Sequence, residues 1–142
     1  MARYSIIIVL LIVAVCIVTS EIAAQSSESS AVVVVYHRFG EQQYPSTNIR
    51  IDQFERHVAL LSNNKFHVMR LEDIASAIRK GEALPDRTVG ITIDDAYYSA
   101  YAKAWPILRE ANLPFTLFIN TNAVDQQHAG MMSWSQIKEM KD

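Results

Sequence analysis

"TVGITIDDAYYSAYAKAWPILREANLPFTLFIN", residues 88–120, decides the fold class. Residues 88–93 form a short apolar run rich in β-branched side chains, which reads as a strand. Residues 97–113 change to a helical pattern in which Pro106 removes one backbone donor and should kink or restart the helix. Residues 114–120 return to a strand. A strand, a helix and a second strand in this order make a parallel pair joined by a crossover.

The same alternation runs outward in both directions. Upstream, "AVVVVYH" (31–37) is a β-branched run that reads as a strand buried on both faces, as in a parallel sheet. A loop follows, punctuated by Gly40 and Pro45. "IRIDQFERHVALLSNNKF" (49–66) is helical, with Asp52 placed to cap it and Phe54, Val58 and Leu61 at helical spacing. "FHVMRL" (66–71) is a second strand, and "LEDIASAIRKG" (71–81) a helix stopped by Gly81. Downstream, "TNAVDQQHAGMM" (121–132) reads as a polar loop, and "SWSQIKEMKD" (133–142) opens a helix through a Ser133–Gln136 capping box. The expected class is α/β with parallel strands alternating with helices. Alternation alone leaves a doubly wound sheet and a barrel both open.

The first 24 of the 142 residues read as a secretory signal peptide. "MARY" is a short positive start, Ile6 to Val18 an apolar run, and "TSEIAAQSSESS" a small-residue exit. The run is short for a membrane span of about 20 residues. Ile22 is bulky for a cut after Ala24, so an N-terminal anchor stays open, with membrane contact only in that case. Residues 25–31 are a polar tether and 32–142 the folded part. The expected location is secreted, periplasmic or at the cell envelope. The one cysteine, Cys16, lies in the apolar run, which leaves the remainder without a disulfide or a thiolate ligand. Thirteen basic against fifteen acidic residues give a net charge of -2 without a basic patch, which argues against a nucleic-acid partner.

Asp94 and Asp95 fall where the strand 88–93 ends, at the carboxyl end of the sheet, where α/β proteins carry their chemistry. His37 ends the first strand, and Asn120 with Thr121 the fourth, at the same mouth. Adjacent carboxylates repel, and one is pushed toward its neutral form unless a cation intervenes. A divalent metal resolves this if one carboxylate ligates it while the other serves as a base. The competing possibility is that one aspartate caps the following helix. Capping, however, needs only one.

"TIDDAYYSAY", "AWPILREANLPFTLFI" and "MSWSQIKEM", with "VVYHRFGE" upstream, resemble the polysaccharide deacetylase family, which includes chitooligosaccharide and poly-N-acetylglucosamine deacetylases. The similarity runs from about Val32 to the last residue. The family's first motif, T-F-D-D-G, stands here as Thr92-Ile93-Asp94-Asp95-Ala96. The resemblance implies the N-terminal portion of a distorted β/α barrel and a metal-dependent hydrolase removing N-acetyl groups from an amino-sugar polysaccharide. It implies Asp94 as general base and Asp95 as ligand of a divalent metal, Zn²⁺ by expectation. His37 and Tyr97 are candidates for the substrate pocket.

The resemblance also implies a second motif, H-[ST]-x-x-H. The four histidines are His37, His57, His67 and His128, and no two stand four apart. The chain is therefore expected to be the N-terminal part of a deacetylase domain, truncated before that motif, with an incomplete metal site and weak activity. Ala96 in place of glycine reads as a subfamily variation. His57, His67 and His128 read as structural or solvated, and Trp105 and Trp134 as core residues. Two rivals stand beside the deacetylase: a non-catalytic glycan-binding remnant, and an Mg²⁺-dependent phosphoryl hydrolase on a similar scaffold.

Overall fold

The structure, a computed structural model, describes residues 30–141. The signal-peptide assignment for residues 1–24, and most of the tether, lie outside the described residues.

Strand β5 (Thr88–Ile93) is the centre of the sheet, and all six of its residues are buried. Strand β1 (Ala31–Tyr36) pairs with its full length in parallel, from Ala31 opposite Thr88 to Tyr36 opposite Ile93. Strands β4 (His67–Met69) and β6 (Thr116–Leu117) divide the other edge of β5. β4 takes residues 88–90 and β6 takes residues 92–93, both in parallel. A separate parallel pair, β2 (Arg38–Phe39) with β3 (Asn48–Ile49), folds the loop after β1 back on itself. The sequence shows this segment only as a loop, because two-residue strands carry no periodicity.

Helices α1 (Ile51–Leu61) and α2 (Leu71–Lys80) connect the first strands. Phe54 and Val58 of α1 join Ile91 and Ile93 of β5 in the main core cluster, with Phe39 closing it. Rings of Phe39 and Phe54 meet edge-on at 4.8 Å, and Tyr36 meets Phe54 edge-on at 5.2 Å. On the opposite face of β5, Gly90 lets α2 approach closely. A Cβ built there would stand 3.1 Å from Ile74 Cδ1. α2 ends at Gly81 in the left-handed conformation (φ 68°), as its sequence predicts.

Three local expectations need correction. Asp52 does not cap α1: the N-cap is Arg50, without a side-chain bond, and Asp52 pairs instead with Arg50 and Arg56. The Arg50 hydrogen bond holds its carboxyl below the usual range. β1 is not buried on both faces. Val32, Val33 and Val35 are between 42% and 61% exposed, and among the described residues β1 stands at the edge of the sheet, paired with β5 alone. Residues 121–132 are not all loop. Thr121–Asp125 form a helix, α4, capped by the Asn120 side chain, which accepts a hydrogen bond from Ala123 N at 3.2 Å.

The helix after the aspartates begins at Tyr98 and is irregular. Residues 95 and 96 turn through left-handed backbone (φ 72° and 61°), and Ala100–Ala104 form a π-helical turn. Helix α3 (Trp105–Glu110) restarts with Pro106 in its first turn, the restart that the missing N–H predicts. Ala100 and Ala104 are fully buried, and their small size brings this segment against the core cluster. The last helix, α5 (Trp134–Glu139), carries the full Ser133–Gln136 capping box.

Ala96 is fully buried at φ 61°, a conformation costing an L-residue about 1–2 kcal/mol that glycine does not incur. Ala96→Gly is expected to raise stability by up to about 1 kcal/mol in urea unfolding, net of one lost buried methyl. A drop in stability would show that the methyl's packing outweighs the backbone relief.

Candidate active site

The register of β1 against β5 builds the site. Tyr36 lies opposite Ile93, and the ladder continues one step further, with Asp94 N donating to Tyr36 O at 2.8 Å. The next residues along the two strands, His37 and Asp94, are thereby brought together. His37 Nε2 stands 3.9 Å from Asp94 Oδ2, an ion-pair distance longer than a hydrogen bond, with both side chains about one-third exposed. Asp94 is therefore open to solvent and to a substrate on one side, and faced by an imidazole on the other.

Asp95 follows in left-handed backbone. Helical backbone begins at Tyr98 and runs on into the π-helical turn, and neither aspartate side chain is hydrogen-bonded to a backbone N–H of that first turn. The capping alternative is thus set aside by the geometry. Residues 96–98 are tied instead to the loop before α5. Met132 N donates to Ala96 O at 3.0 Å and Tyr98 N to Gly130 O at 2.8 Å.

Tyr97 stands at the site, but its ring is engaged. The Arg38 guanidinium lies 3.5 Å from its centroid, and on another ring, Tyr44, at 3.8 Å. Arg38 also donates to Glu41 at 2.8 Å, with both side chains largely buried. Two further bonds join the same segments: Phe39 N donates to Ser99 Oγ at 3.2 Å, and Lys103 Nζ to Gly40 O at 3.2 Å. The loop following His37 is clamped to the turn following Asp95. Sequence reasoning missed Arg38, Glu41, Tyr44 and Ser99. The only signals were the Arg38–Glu41 spacing and a tyrosine before Pro45.

Other expected residues fall elsewhere. Asn120 spends its side-chain oxygen on the cap of α4, and so does not point freely into the mouth. Tyr36 Oη and His57 Nδ1 share a hydrogen bond at 2.9 Å, and burial raises the Tyr36 hydroxyl above the usual phenol range. His67 Nδ1 is bonded to Asp86 O, and His128 Nε2 to Gln126 Oε1, at 2.8 Å each. All three histidines keep structural or solvated places. Trp105 is half-buried, stacked on Tyr101 at 5.4 Å and covered by Arg109 at 4.6 Å. Trp134 is a correction: it is 46% exposed, donating to Asp125 Oδ1 at 2.8 Å, on the rim of a groove of about 910 Å³ beside β6. That groove is lined by Leu71, Phe115, Phe118 and Ile137 among others, and does not include the aspartates. A smaller one, of about 460 Å³, reaches His37 and Arg38.

Among the described residues, no group of three or more His, Cys, Asp or Glu side chains converges to hold a metal ion. A catalytic zinc takes three protein ligands and one open position. Asp95 suits one of them, and the described residues do not fit a complete site. What the arrangement offers by itself is a carboxylate acceptor beside an imidazole, in a polar opening at the carboxyl end of the sheet.

Comparison with known proteins places this geometry. Residues 81–142 match the family model described as polysaccharide deacetylase. A poly-β-1,6-N-acetyl-D-glucosamine N-deacetylase of Staphylococcus aureus is 32% identical over 91 residues, covering 62% of this chain and 31% of that protein. Among solved structures, IcaB from Ammonifex degensii superposes with a TM-score of 0.71 at 28% identity, over 80% of this chain and 48% of that one. The Streptococcus pyogenes deacetylase PplD, solved with acetate, gives a TM-score of 0.69 at 21% identity, over 78% of this chain and 51% of that one, a likeness of fold. The chain thus spans about a third of the curated relative and about half of the solved ones. With parallel strands around a buried central strand, and a Thr-Ile-Asp-Asp-Ala turn at its carboxyl end, the chain resembles the polysaccharide deacetylase family over residues 81–142 and carries part of the barrel-like α/β fold of the solved deacetylases.

Proposed function

We propose that this chain carries the proton-accepting part of a hydrolase that removes N-acetyl groups from an amino-sugar polysaccharide. The observation that supports it most directly is Asp94, held by strand register against His37 at the open end of the sheet, inside the segment matched by the deacetylase model. The substrate class follows from the relatives, of which the Staphylococcus aureus protein is named for poly-β-1,6-N-acetyl-D-glucosamine.

The chemistry asked of the site is hydrolysis of an amide. Water adds to the acetamido carbonyl carbon, and its proton goes to a base. The C–N bond then breaks, releasing acetate and a sugar amine that must itself gain a proton. Asp94, as an acceptor-only carboxylate open to solvent, takes the proton from the attacking water. His37, 3.9 Å away, faces that carboxylate at ion-pair distance. Asp95 is proposed as one ligand of a divalent metal, with zinc expected. The metal's contribution, when bound, is to polarise the carbonyl and lower the pKa of bound water. The remaining ligands and the acid that protonates the amine are not assigned to any described residue.

Glycan binding without hydrolysis is the second possibility, favoured by the incomplete donor set among the described residues. Export, with a cleaved signal peptide, is proposed from the N-terminal sequence alone.

Two measurements test the assignment. Zinc titration of the chain should show only weak binding, and Asp95→Ala should remove what there is. Tight binding that survives Asp95→Ala would dismiss Asp95 as a ligand. Acetate release from β-1,6-linked N-acetylglucosamine oligomers should be slight for the chain itself. It should be substantial when the described segment is joined to the complementary part of the Ammonifex degensii protein. Asp94→Asn in that chimera should lower the rate by about 10²- to 10⁴-fold, the usual contribution of a general base. An unchanged rate would remove Asp94 from the mechanism.

A further inference from the structure

One aromatic ring near the aspartates is both exposed and rigid. Tyr44 is 44% exposed, yet one side of its ring lies 3.8 Å from the Arg38 guanidinium. Arg38 in turn rests on Tyr97, two residues beyond Asp95. Three flat groups are layered in a column from the aspartate turn outward, and Tyr44 is its solvent end. The segment beneath is tightly folded. Tyr44 N donates to Glu41 O at 3.0 Å, Thr47 N to Tyr44 O at 3.1 Å, and Glu41 N to Asn48 Oδ1 at 2.7 Å. Tyr44 therefore offers its free face with little conformational entropy left to lose on binding.

The chemistry of the column selects the ligand. Arg38 is ion-paired with Glu41, with side chains only 13% and 19% exposed, so its charge is neutralised and screened from an incoming anion. What remains is an uncharged aromatic face with a phenol at its edge. It matches a pyranose ring, which has an apolar C–H face and hydroxyls around its rim. A polymer with one residue at the aspartates must lead its neighbouring residues out across this surface.

We infer that Tyr44 is a sugar-stacking platform for a glycan residue adjoining the one at Asp94 and Asp95; this rests on the deacetylase assignment and deepens it. Arg38 and Tyr97 are positioning residues for that platform. This also gives a place to Tyr97, whose ring supports Arg38 instead of meeting the substrate.

The test is a binding titration of the full chain with β-1,6-linked N-acetylglucosamine, monomer against pentamer, followed by NMR of labelled tyrosine rings. The pentamer should shift the Tyr44 ring signals and bind more tightly than the monomer. Tyr44→Ala should weaken the pentamer by roughly three- to tenfold, the scale of one aromatic contact, and leave the monomer unaffected. Tyr44→Phe and Tyr44→Trp should retain the affinity. Tyr44 lies outside the core cluster, so the alanine variant should keep the parent's circular dichroism and unfolding midpoint. Equal pentamer affinity in Tyr44→Ala would overturn the platform and leave the deacetylase assignment standing. A Tyr44→Phe variant as weak as alanine would also overturn it, by showing a hydrogen bond in place of stacking. No saturable pentamer binding by the parent chain would overturn it too, while acetate release by the chimera would still decide the enzymatic assignment separately.

Discussion

The pairing of β1 with β5 is the constraint on which the rest depends. Both faces of β5 are packed, so a slip of its register by one would exchange them, moving Ile91 and Ile93 from the main core cluster to the side where Gly90 meets α2. That register carries through Asp94 N and Tyr36 O, and it leaves His37 and Asp94 as the first pair of side chains beyond the ladder. The juxtaposition at the site is a by-product of core burial, imposed by residues that never touch a substrate. The same burial explains why a half-exposed strand can be one partner: β1 needs only its Val34 and Tyr36 face against the core.

The turn after Asp94 solves a geometric problem. In extended backbone successive side chains point to opposite faces, and two adjacent aspartates would diverge. Left-handed backbone at Asp95 and Ala96 breaks the alternation at the pair itself. The strain is held by hydrogen bonds from Met132 and Tyr98 to and from the neighbouring loop, and by the clamp of Arg38, Phe39 and Gly40 on Tyr97, Ser99 and Lys103. A strained turn persists where its surroundings over-determine it. The π-helical turn Ala100–Ala104 follows, and α3 starts directly after it with Pro106 in its first turn.

Much of this was legible in the sequence, for identifiable reasons. The strands 88–93 and 31–36 announce themselves through β-branched runs, Gly81 through its place after a charged last turn, and the Ser133–Gln136 box through its spacing. Asp94, Asp95 and His37 could be placed at one mouth because strand ends are set by where apolar runs stop. What escaped depended on long-range partners. Arg38, Glu41 and Tyr44 look like loop polarity until Tyr97 arrives from 53 residues away in the chain. Asp52 has the right type and position for a cap, but two arginines compete for it. Asn120 was expected in the mouth and is used as a cap, a choice that only the start of α4 decides. The exposure of β1 depends on what packs over its faces, and its own residues do not encode that.

The division of β5's second edge between β4 and β6 bears on what kind of site this scaffold can hold. β4 leaves β5 after Gly90, and β6 joins only at Thr92, so the two diverge along one edge. At the carboxyl end, β5 is flanked by β1 on one side and β6 on the other, and functional side chains can reach the aspartates from both. From β1 comes His37. From β6 comes Asn120, three residues past its end, which is already spent on α4. On the β1 side the mouth carries an imidazole and a stacked arginine–tyrosine column, and on the β6 side the Asn120 oxygen is committed to the helix cap. The neighbour that faces Asp94, His37, comes from β1. A metal centre needs ligands converging from several directions, and among the described residues Asp95 is the one proposed for that role.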